Sequence, residues 1–242
     1  MHKESLNQFE EFPKKKQLVT LSIGGNYLPN LTKYTLPLLK HYADKCSADF
    51  RIITEEKFKM NPKSGHGGEK FQLYELSEGY DWTIFVDADA LINPDTPDWT
   101  EMVSKAQVVF HGVDMYLNRF KPNAYTRRSG QLCGACTWFT CFSDWTRDLW
   151  HPPEISWEEA MSNIQPILQE QKTGLCSKEH LIDDYIVTQN IHRYGLKVVT
   201  VLGDLIQKCP NNYFLHLYNV EPEKKIVEIK QQLANWGVTI NG

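Results

Sequence analysis

Two aspartates, Asp87 and Asp89, stand at the end of the most apolar strand-like run of the sequence, DWTIFVDADALI (81–92). Carboxylates in apolar surroundings are unfavourable unless another charge offsets them, and a divalent cation is the simplest partner. Hard oxygen ligands favour magnesium or manganese, which usually keep coordination positions free for substrate phosphates. We therefore predict a metal site here, in preference to the alternative of two solvent-exposed turn aspartates before Asn93-Pro94.

A second acidic pair, Asp183 and Asp184, lies within the segment 179–195, whose pattern predicts a helix that ends at Gly195. Negative charges at the N-terminus of a helix are stabilised by the helix dipole. The alternative is an ordinary solvated helix face. The two acidic pairs are the residues whose types and spacing best fit chemistry, so the elements that carry them decide whether they meet.

Strands that alternate with helices in the first half predict βαβ units and an α/β domain with a mostly parallel sheet flanked by helices. Ligands bind outside the carboxyl ends of such strands, so we expect the site after Gly24 and Val86. Strands are predicted over 17–24, 48–56, 81–92, 106–113, 132–142 and 196–204. Helices are predicted over 31–42, 69–79, 157–171, 179–195 and 221–236, with a short one opened by Thr96-Pro97.

Local signals refine these helices. Asn30 is predicted to cap the first helix, and Pro37 predicts a kink or a late start within it. Ser156 and Glu159 fit a capping box at the start of the helix over 157–171.

Composition excludes several classes of protein. The 242 residues carry 26 Lys+Arg against 30 Asp+Glu, a balance that argues against a dedicated nucleic-acid binder. We see no apolar run of about 18 residues and no secretory signal, and we interpret the six cysteines as reduced thiols, so we expect a cytoplasmic protein. We predict a polar N-terminal arm over 1–16, a single domain over 17–242 and a basic loop over 114–130.

The run from Glu69 to Asp95 resembles the GT-A fold nucleotide-sugar glycosyltransferases, and most closely the pattern of glycogenin and the bacterial lipopolysaccharide galactosyltransferases (family 8). The resemblance implies a Rossmann-like domain in which Asp87-Ala88-Asp89 holds a manganese or magnesium ion that binds the diphosphate of a UDP-sugar. It also implies that Lys70 reaches the donor and stabilises the leaving phosphates. A solvated helix lysine is the alternative for Lys70.

Weaker matches follow in the same order along the chain. The segment that contains Ser22, Ile23, Gly24, Asn26 and Tyr27 matches the place where the family binds uridine, although an ordinary strand-to-helix turn would explain it equally well. The stretch 129–142 resembles the strand that borders the sugar pocket, where Gly134 and Ala135 would leave room for the sugar ring.

The resemblance also assigns residues in the second half of the chain. His216, within FLHLYN, would complete the metal site with Asp87 and Asp89. Asp183 and Asp184 fall where the family has Asp-Gln-Asp, so Asp184 would orient the transferred sugar or an acceptor hydroxyl. The role of Asp183 stays open because it replaces a glutamine. The family's Lys-Pro-Trp after the histidine is missing, and Lys224 and Lys225 are nearby without an assigned role.

These observations predict a metal-dependent hexosyltransferase that moves a sugar from a nucleotide donor, UDP by resemblance, to a glycan or other hydroxyl acceptor. The family is retaining, but the segment that begins with Asp183 also fits inverting enzymes in which Asp184 would be the general base. One alternative is a haloacid-dehalogenase-like phosphatase, which also uses a strand-end Asp-x-Asp. Another is a non-catalytic carbohydrate-binding protein that uses the tryptophans at 138, 145, 150 and 157.

Overall fold

The computed structural model describes residues 13–24, 28–59, 66–112, 135–165, 178–205, 213–217 and 220–239. The strands are β1 (Lys16–Leu21), β2 (Ala48–Ile53), β3 (Trp82–Val86), β4 (Ala90–Ile92), β5 (Gln107–Phe110), β6 (Phe139–Ser143), β7 (Lys197–Thr200) and β8 (Phe214–His216). The α-helices are α1 (Leu28–Lys45), α2 (Leu73–Leu76), α3 (Trp157–Ser162), α4 (Ile182–Tyr194) and α5 (Pro222–Asn235). Short 3-10 helices span Gly67–Gln72, Trp99–Glu101, Asp144–Trp150 and Lys178–Leu181.

Six strands form one sheet in the order β2-β1-β3-β6-β5-β7. The pairs β1/β2, β1/β3 and β5/β7 are parallel, whereas β6 runs antiparallel to both of its neighbours, β3 and β5. The prediction of a mostly parallel sheet in an α/β domain is therefore confirmed. Because β1 and β3 are parallel neighbours, their carboxyl ends lie at the same edge of the sheet, where the acidic residues were expected.

Each face of the sheet carries its own apolar layer. Successive side chains of a strand point to opposite faces, and in β3 Ile84 packs on one side and Phe85 on the other. The Ile84 side holds Leu39 of α1 and Ile229 of α5, and the Phe85 side holds Ile186 of α4. The helices thus cover both faces of the sheet, and β3 is buried along its whole length.

A second, two-stranded sheet pairs β4 with β8 in antiparallel register, with Ala90 opposite His216. The single strand predicted over 81–92 is wrong in this respect: the chain leaves the main sheet after Val86 and enters the small sheet at Ala90. The turn between them is held by hydrogen bonds from the Asp87 N–H to the Trp138 carbonyl (2.8 Å) and from the Ala90 N–H to the Asp87 carbonyl (3.0 Å).

Other strand and helix ends differ from the prediction. Strand β6 starts only at Phe139, because residues 137–138 form a turn, and β7 stops at Thr200, where Val201–Leu205 forms a π-helix. Helix α3 ends at Ser162 and not at 171. At its start, the predicted capping residue Ser156 does accept a hydrogen bond from the Glu159 N–H (3.2 Å).

The remaining helix boundaries agree with the prediction only in part. Helix α1 begins at Leu28, so Asn30 lies inside its first turn, and the helix continues through Pro37. The helix predicted over 69–79 is a 3-10 helix from Gly67 followed by the single turn α2. Trp99–Glu101 begins two residues after Pro97. Gly195 ends α4 at φ 63°, as expected, and α5 matches the helix predicted over 221–236.

Several predictions fall on residues that the structure does not describe: most of the N-terminal arm, Gly25 to Tyr27, the basic loop over 114–130, Gly134, and Cys133, Cys176 and Cys209. The end of the predicted arm, 13–15, has no regular secondary structure, and β1 starts at Lys16. The division into an arm and one domain stays a prediction. Over the part of the chain described, no helix is both long enough and apolar enough to span a bilayer.

Candidate functional site

Lys70 joins two acids that come from different elements. It lies on the 3-10 helix Gly67–Gln72, Asp87 directly follows β3, and Asp183 is in the first turn of α4. The Lys70 Nζ lies 2.9 Å from Asp87 Oδ1 and 2.9 Å from Asp183 Oδ2. A Cβ atom on Gly67 would lie 3.4 Å from the Asp183 carboxyl carbon, an ordinary van der Waals distance, so the start of the 3-10 helix lies against Asp183 of α4. The structure therefore brings both acidic pairs of the sequence to one place.

Burial and mutual charge determine the ionisation of this cluster. Burial by itself would lower the pKa of Lys70, but Asp183 and Asp87 raise it above its usual value, so the ammonium stays charged. Burial would raise the pKa of Asp183, yet Lys70 and Thr137 hold it below the ordinary range. The pKa of Asp87 is raised, first by burial and further by Asp89, despite Lys70. Asp183 is thus the firmly ionised partner of Lys70.

Thr137 ties the two acids of α4 together, and the sequence did not single it out. Its backbone N–H donates to Asp184 Oδ1 (3.0 Å), and its hydroxyl lies 2.7 Å from the same oxygen and 2.8 Å from Asp183 Oδ2. The hydroxyl carries one proton, so it donates to one carboxylate at a time. Lys70 Nζ lies 3.4 Å from the same Oγ1. The sequence showed Thr137 only as a threonine among small residues, and the prediction of a strand over 132–142 assigned it no role in the site.

Asp89 lies on the other side of the turn, between the small sheet and α5. Its Oδ1 is 3.4 Å from His216 Nε2, and its Oδ2 accepts from Lys225 Nζ at 2.9 Å. Burial would raise the pKa of Asp89, but His216 and Lys225 hold it well below the usual range. Lys225 is the second residue of the site, after Thr137, to which the sequence assigned no role. Its contact depends on the docking of α5, which no local pattern encodes.

Asp87, Asp89 and His216 form a set that fits a divalent cation. One ligand atom from each lies within 4.8 Å of the others, and all three side chains are partly accessible. Carboxylate oxygens with one imidazole suit manganese or magnesium. Around this set, Lys70 pairs with Asp87 and Asp183, and Lys225 pairs with Asp89.

Trp138 orients the histidine of this set. Its ring stacks on His216 with 4.8 Å between centroids and 20° between planes, and His111 lies 4.6 Å away on Trp138 as well. Burial, and then the electrostatic effect of the neighbouring His216, lower the pKa of His111 to about 4, so His111 is neutral at pH 7. The stack restricts rotation of the His216 ring. Neither Trp138 nor His111 was assigned this role from sequence.

Trp150 and Trp157 pack on the Phe85 side of the sheet, whereas Trp138 packs on the Ile84 side. Trp150 is fully buried and meets Phe71 and Phe85 edge to face at 5.7 and 5.8 Å. Trp145 is 70% exposed at the opposite end of β6. A continuous aromatic platform for a sugar is therefore not formed by these residues.

The end of β1 reaches the same edge of the sheet. Ser22, Ile23 and Gly24 follow β1, and the Ser22 N–H donates to the Ile53 carbonyl at 2.9 Å. Gly24 has φ 70°, and a Cβ there would lie 2.5 Å from His66 Nε2, so the position favours glycine. His66, whose Nδ1 lies 3.0 Å from Glu56 Oε1, packs against this strand end. Asn26 and Tyr27 lie outside the described residues.

Comparisons with known proteins bear on the fold. No family model matches the chain, and no curated protein matches its sequence. A solved glycosyltransferase involved in the glycosylation of the major capsid of PBCV-1 is similar in structure, with a TM-score of 0.51 at 9% identity over 90% of this chain and 99% of that one. The galactosyltransferase LgtC, solved with donor and acceptor sugar analogs, gives a TM-score of 0.40 at 11% identity over 76% of this chain and 73% of that one. The likeness to the first of these confirms that the chain has the α/β fold of a GT-A glycosyltransferase.

Proposed function

We propose that this protein is a metal-dependent glycosyltransferase that moves a sugar from a nucleotide donor, a UDP-sugar, to a hydroxyl group of a glycan or another acceptor. The observation that carries the proposal is the meeting of a metal-binding set, Asp87, Asp89 and His216, with the Lys70–Asp183 ion pair at the carboxyl edge of the sheet. The glycosyltransferase fold supports it. No observation favours the phosphatase or the non-catalytic binding protein.

The chain's own residues would divide the work of transfer. A manganese or magnesium ion held by Asp87, Asp89 and His216 would supply Lewis-acid neutralisation of the leaving diphosphate. Lys70 is charged and buried, so it adds positive potential where negative charge develops. The strand end Ser22–Gly24, with Asn26 and Tyr27 after it, is the proposed nucleotide side, because β1 and β3 are parallel neighbours and this strand end lies at the same sheet edge as Asp87.

The two acids of α4 differ in what they can do. Asp183 is 3% exposed and bound to Lys70, so it holds the Lys70 ammonium in place and is a poor proton acceptor. Asp184 is partly exposed and fixed by the Thr137 N–H, so it can orient a sugar or accept the acceptor's proton. We propose retention of configuration, as in the family resembled. The anomeric form of the product distinguishes this from inversion with Asp184 as base.

The proposal is tested by incubating the protein with manganese and a panel of nucleotide sugars and measuring release of the nucleotide. Asp87→Ala and Asp89→Ala should abolish release while circular dichroism shows a folded protein. Asp44→Ala removes an exposed aspartate of α1 and serves as the control that keeps activity. Full activity in either site variant or in excess chelator would contradict the metal role. Turnover of an aryl phosphate without nucleotide release would instead indicate a phosphatase.

The setting of the reaction is part of the proposal. No disulfide joins the cysteines at 46, 136 and 141, the three that the structure describes. Thiols persist in a reducing compartment, which supports a cytoplasmic location. Fractionation of cells, with detection of the protein by antibody, tests this location.

A further inference from the structure

Lys225 brings a positive charge from the last helix onto a carboxylate of the metal-binding set. Its Nζ lies 2.9 Å from Asp89 Oδ2, and its side chain is 10% exposed. Helix α5 is fixed on the sheet by Ile229 and Leu233, which are buried in the apolar layer that also holds Ile84. The ammonium is therefore held at Asp89 by a docked helix, and not by a flexible surface segment.

Without an ion, both carboxylates of the set already have a lysine partner. Asp87 pairs with Lys70, Asp89 pairs with Lys225, and each N–O distance is 2.9 Å. A cation that binds Asp89 must either displace Lys225 or remain close to its ammonium. A divalent ion and an ammonium about 5 Å apart repel enough, even at the dielectric constant of water, to change a dissociation constant by more than tenfold.

We propose that Lys225 competes with the metal ion for Asp89, so that the ion binds weakly alone and tightly only together with a nucleoside diphosphate. The diphosphate is an anion that attracts the ammonium away from Asp89 and compensates the added charge of the ion. Binding of ion and diphosphate is then positively coupled, and the coupling is reciprocal. This inference rests on the metal site of the proposed function, but it needs no sugar transfer.

The test is a titration of the protein with Mn²⁺, followed by electron paramagnetic resonance of the free ion, with and without UDP. Lys225→Met should bind Mn²⁺ at least tenfold more tightly than the wild type when UDP is absent, and UDP should enhance its Mn²⁺ affinity much less. Lys224→Met is the matched control, because it removes the same charge from an exposed neighbour on α5. It should change the Mn²⁺ affinity less than threefold. Lys225→Arg keeps the charge and should retain weak binding.

Equal or weaker Mn²⁺ binding by Lys225→Met would overturn the proposal, provided that thermal unfolding shows a folded variant. If Lys225→Met is unfolded, Lys225→Gln is titrated in its place and the same outcomes apply. The UDP dependence of Mn²⁺ binding by the wild type then provides a second test. A wild type that binds Mn²⁺ equally well with and without UDP also overturns it. Absence of sugar transfer with the predicted Mn²⁺ coupling refutes only the proposed function, whereas absence of Mn²⁺ binding in every variant refutes both.

Discussion

The substitution Lys70→Met tests whether the cluster around Lys70 is held by charge balance. Methionine approximates the shape of the stem but removes the ammonium that lies 2.9 Å from Asp87 and 2.9 Å from Asp183. Asp183, which is 3% exposed, is then a buried carboxylate without its cation. Removal of one partner from a buried ion pair lowers stability by about 3–5 kcal/mol. We expect a loss of this size in the free energy of unfolding at pH 7.5.

The pKa of Asp183 determines how the destabilisation caused by Lys70→Met changes with pH. In the wild type the pKa of Asp183 lies below its unfolded value, so its contribution to stability is present at neutral pH and is lost as the pH falls through the folded pKa. In the variant, burial without Lys70 raises that pKa above the unfolded value, and the folded state takes up a proton first. The destabilisation should therefore be smaller at pH 5.5 than at pH 7.5.

Urea unfolding at both pH values, in chelator so that no ion replaces the lost charge, measures this difference. Adding Asp183→Asn to Lys70→Met removes the uncompensated charge and should recover part of the stability. Lys57→Met breaks the exposed pair with Glu75 and should change stability by about 1 kcal/mol or less. A Lys70→Met protein within 1 kcal/mol of the wild type at pH 7.5, or one that is destabilised further at pH 5.5, would refute the reasoning.

Three further substitutions test other parts of the structure. Thr137→Val removes a hydrogen bond to a charged acid, so the turnover number for nucleotide release should fall about tenfold, and Thr137→Ser should retain most of it. Glu69→Gln replaces with a neutral amide the carboxylate that accepts hydrogen bonds from the three backbone N–H groups of residues 57–59. Its loss of about 1–3 kcal/mol in urea unfolding at pH 7 should shrink towards pH 3.5, because the pKa of Glu69 lies below its usual value and the wild type loses this contribution there. Gly195→Ala should lower the free energy of thermal unfolding by about 1 kcal/mol, because φ is 63° there.

Local patterns explain what the sequence could predict. The apolar run before Asp87, the helical pattern over 179–195 and the stop signal at Gly195 are short-range, and they placed Asp183 and Asp184 in the first part of a helix. Parallel strands β1 and β3 then bring Ser22–Gly24 and Asp87 to one edge, because the carboxyl ends of such strands coincide. The fold class followed from the alternation of strands and helices.

Long-range contacts explain what the sequence could not predict. Strands β3 and β4 are both fully buried, and although Asp87 and Asp89 lie between them, no local pattern encodes that β4 pairs with β8 in a separate sheet. Thr137 reaches Asp184 because β6 runs antiparallel beside β3, and Lys225 reaches Asp89 because α5 packs on the sheet. Such contacts depend on pairing and docking between segments far apart in the chain, which single-residue patterns do not encode.

The separation of β4 and β8 from the main sheet has a dynamic consequence. Asp87 belongs to the end of β3, whereas His216 belongs to β8, so the metal-binding set spans the junction of the two sheets. An ion bound by this set would resist separation of the β4–β8 pair from the main sheet. Amide hydrogen exchange in β4 and β8 would then slow on metal addition, while exchange in β1 and β2 would stay unchanged. The small sheet would act as an internal reporter of occupancy at the site.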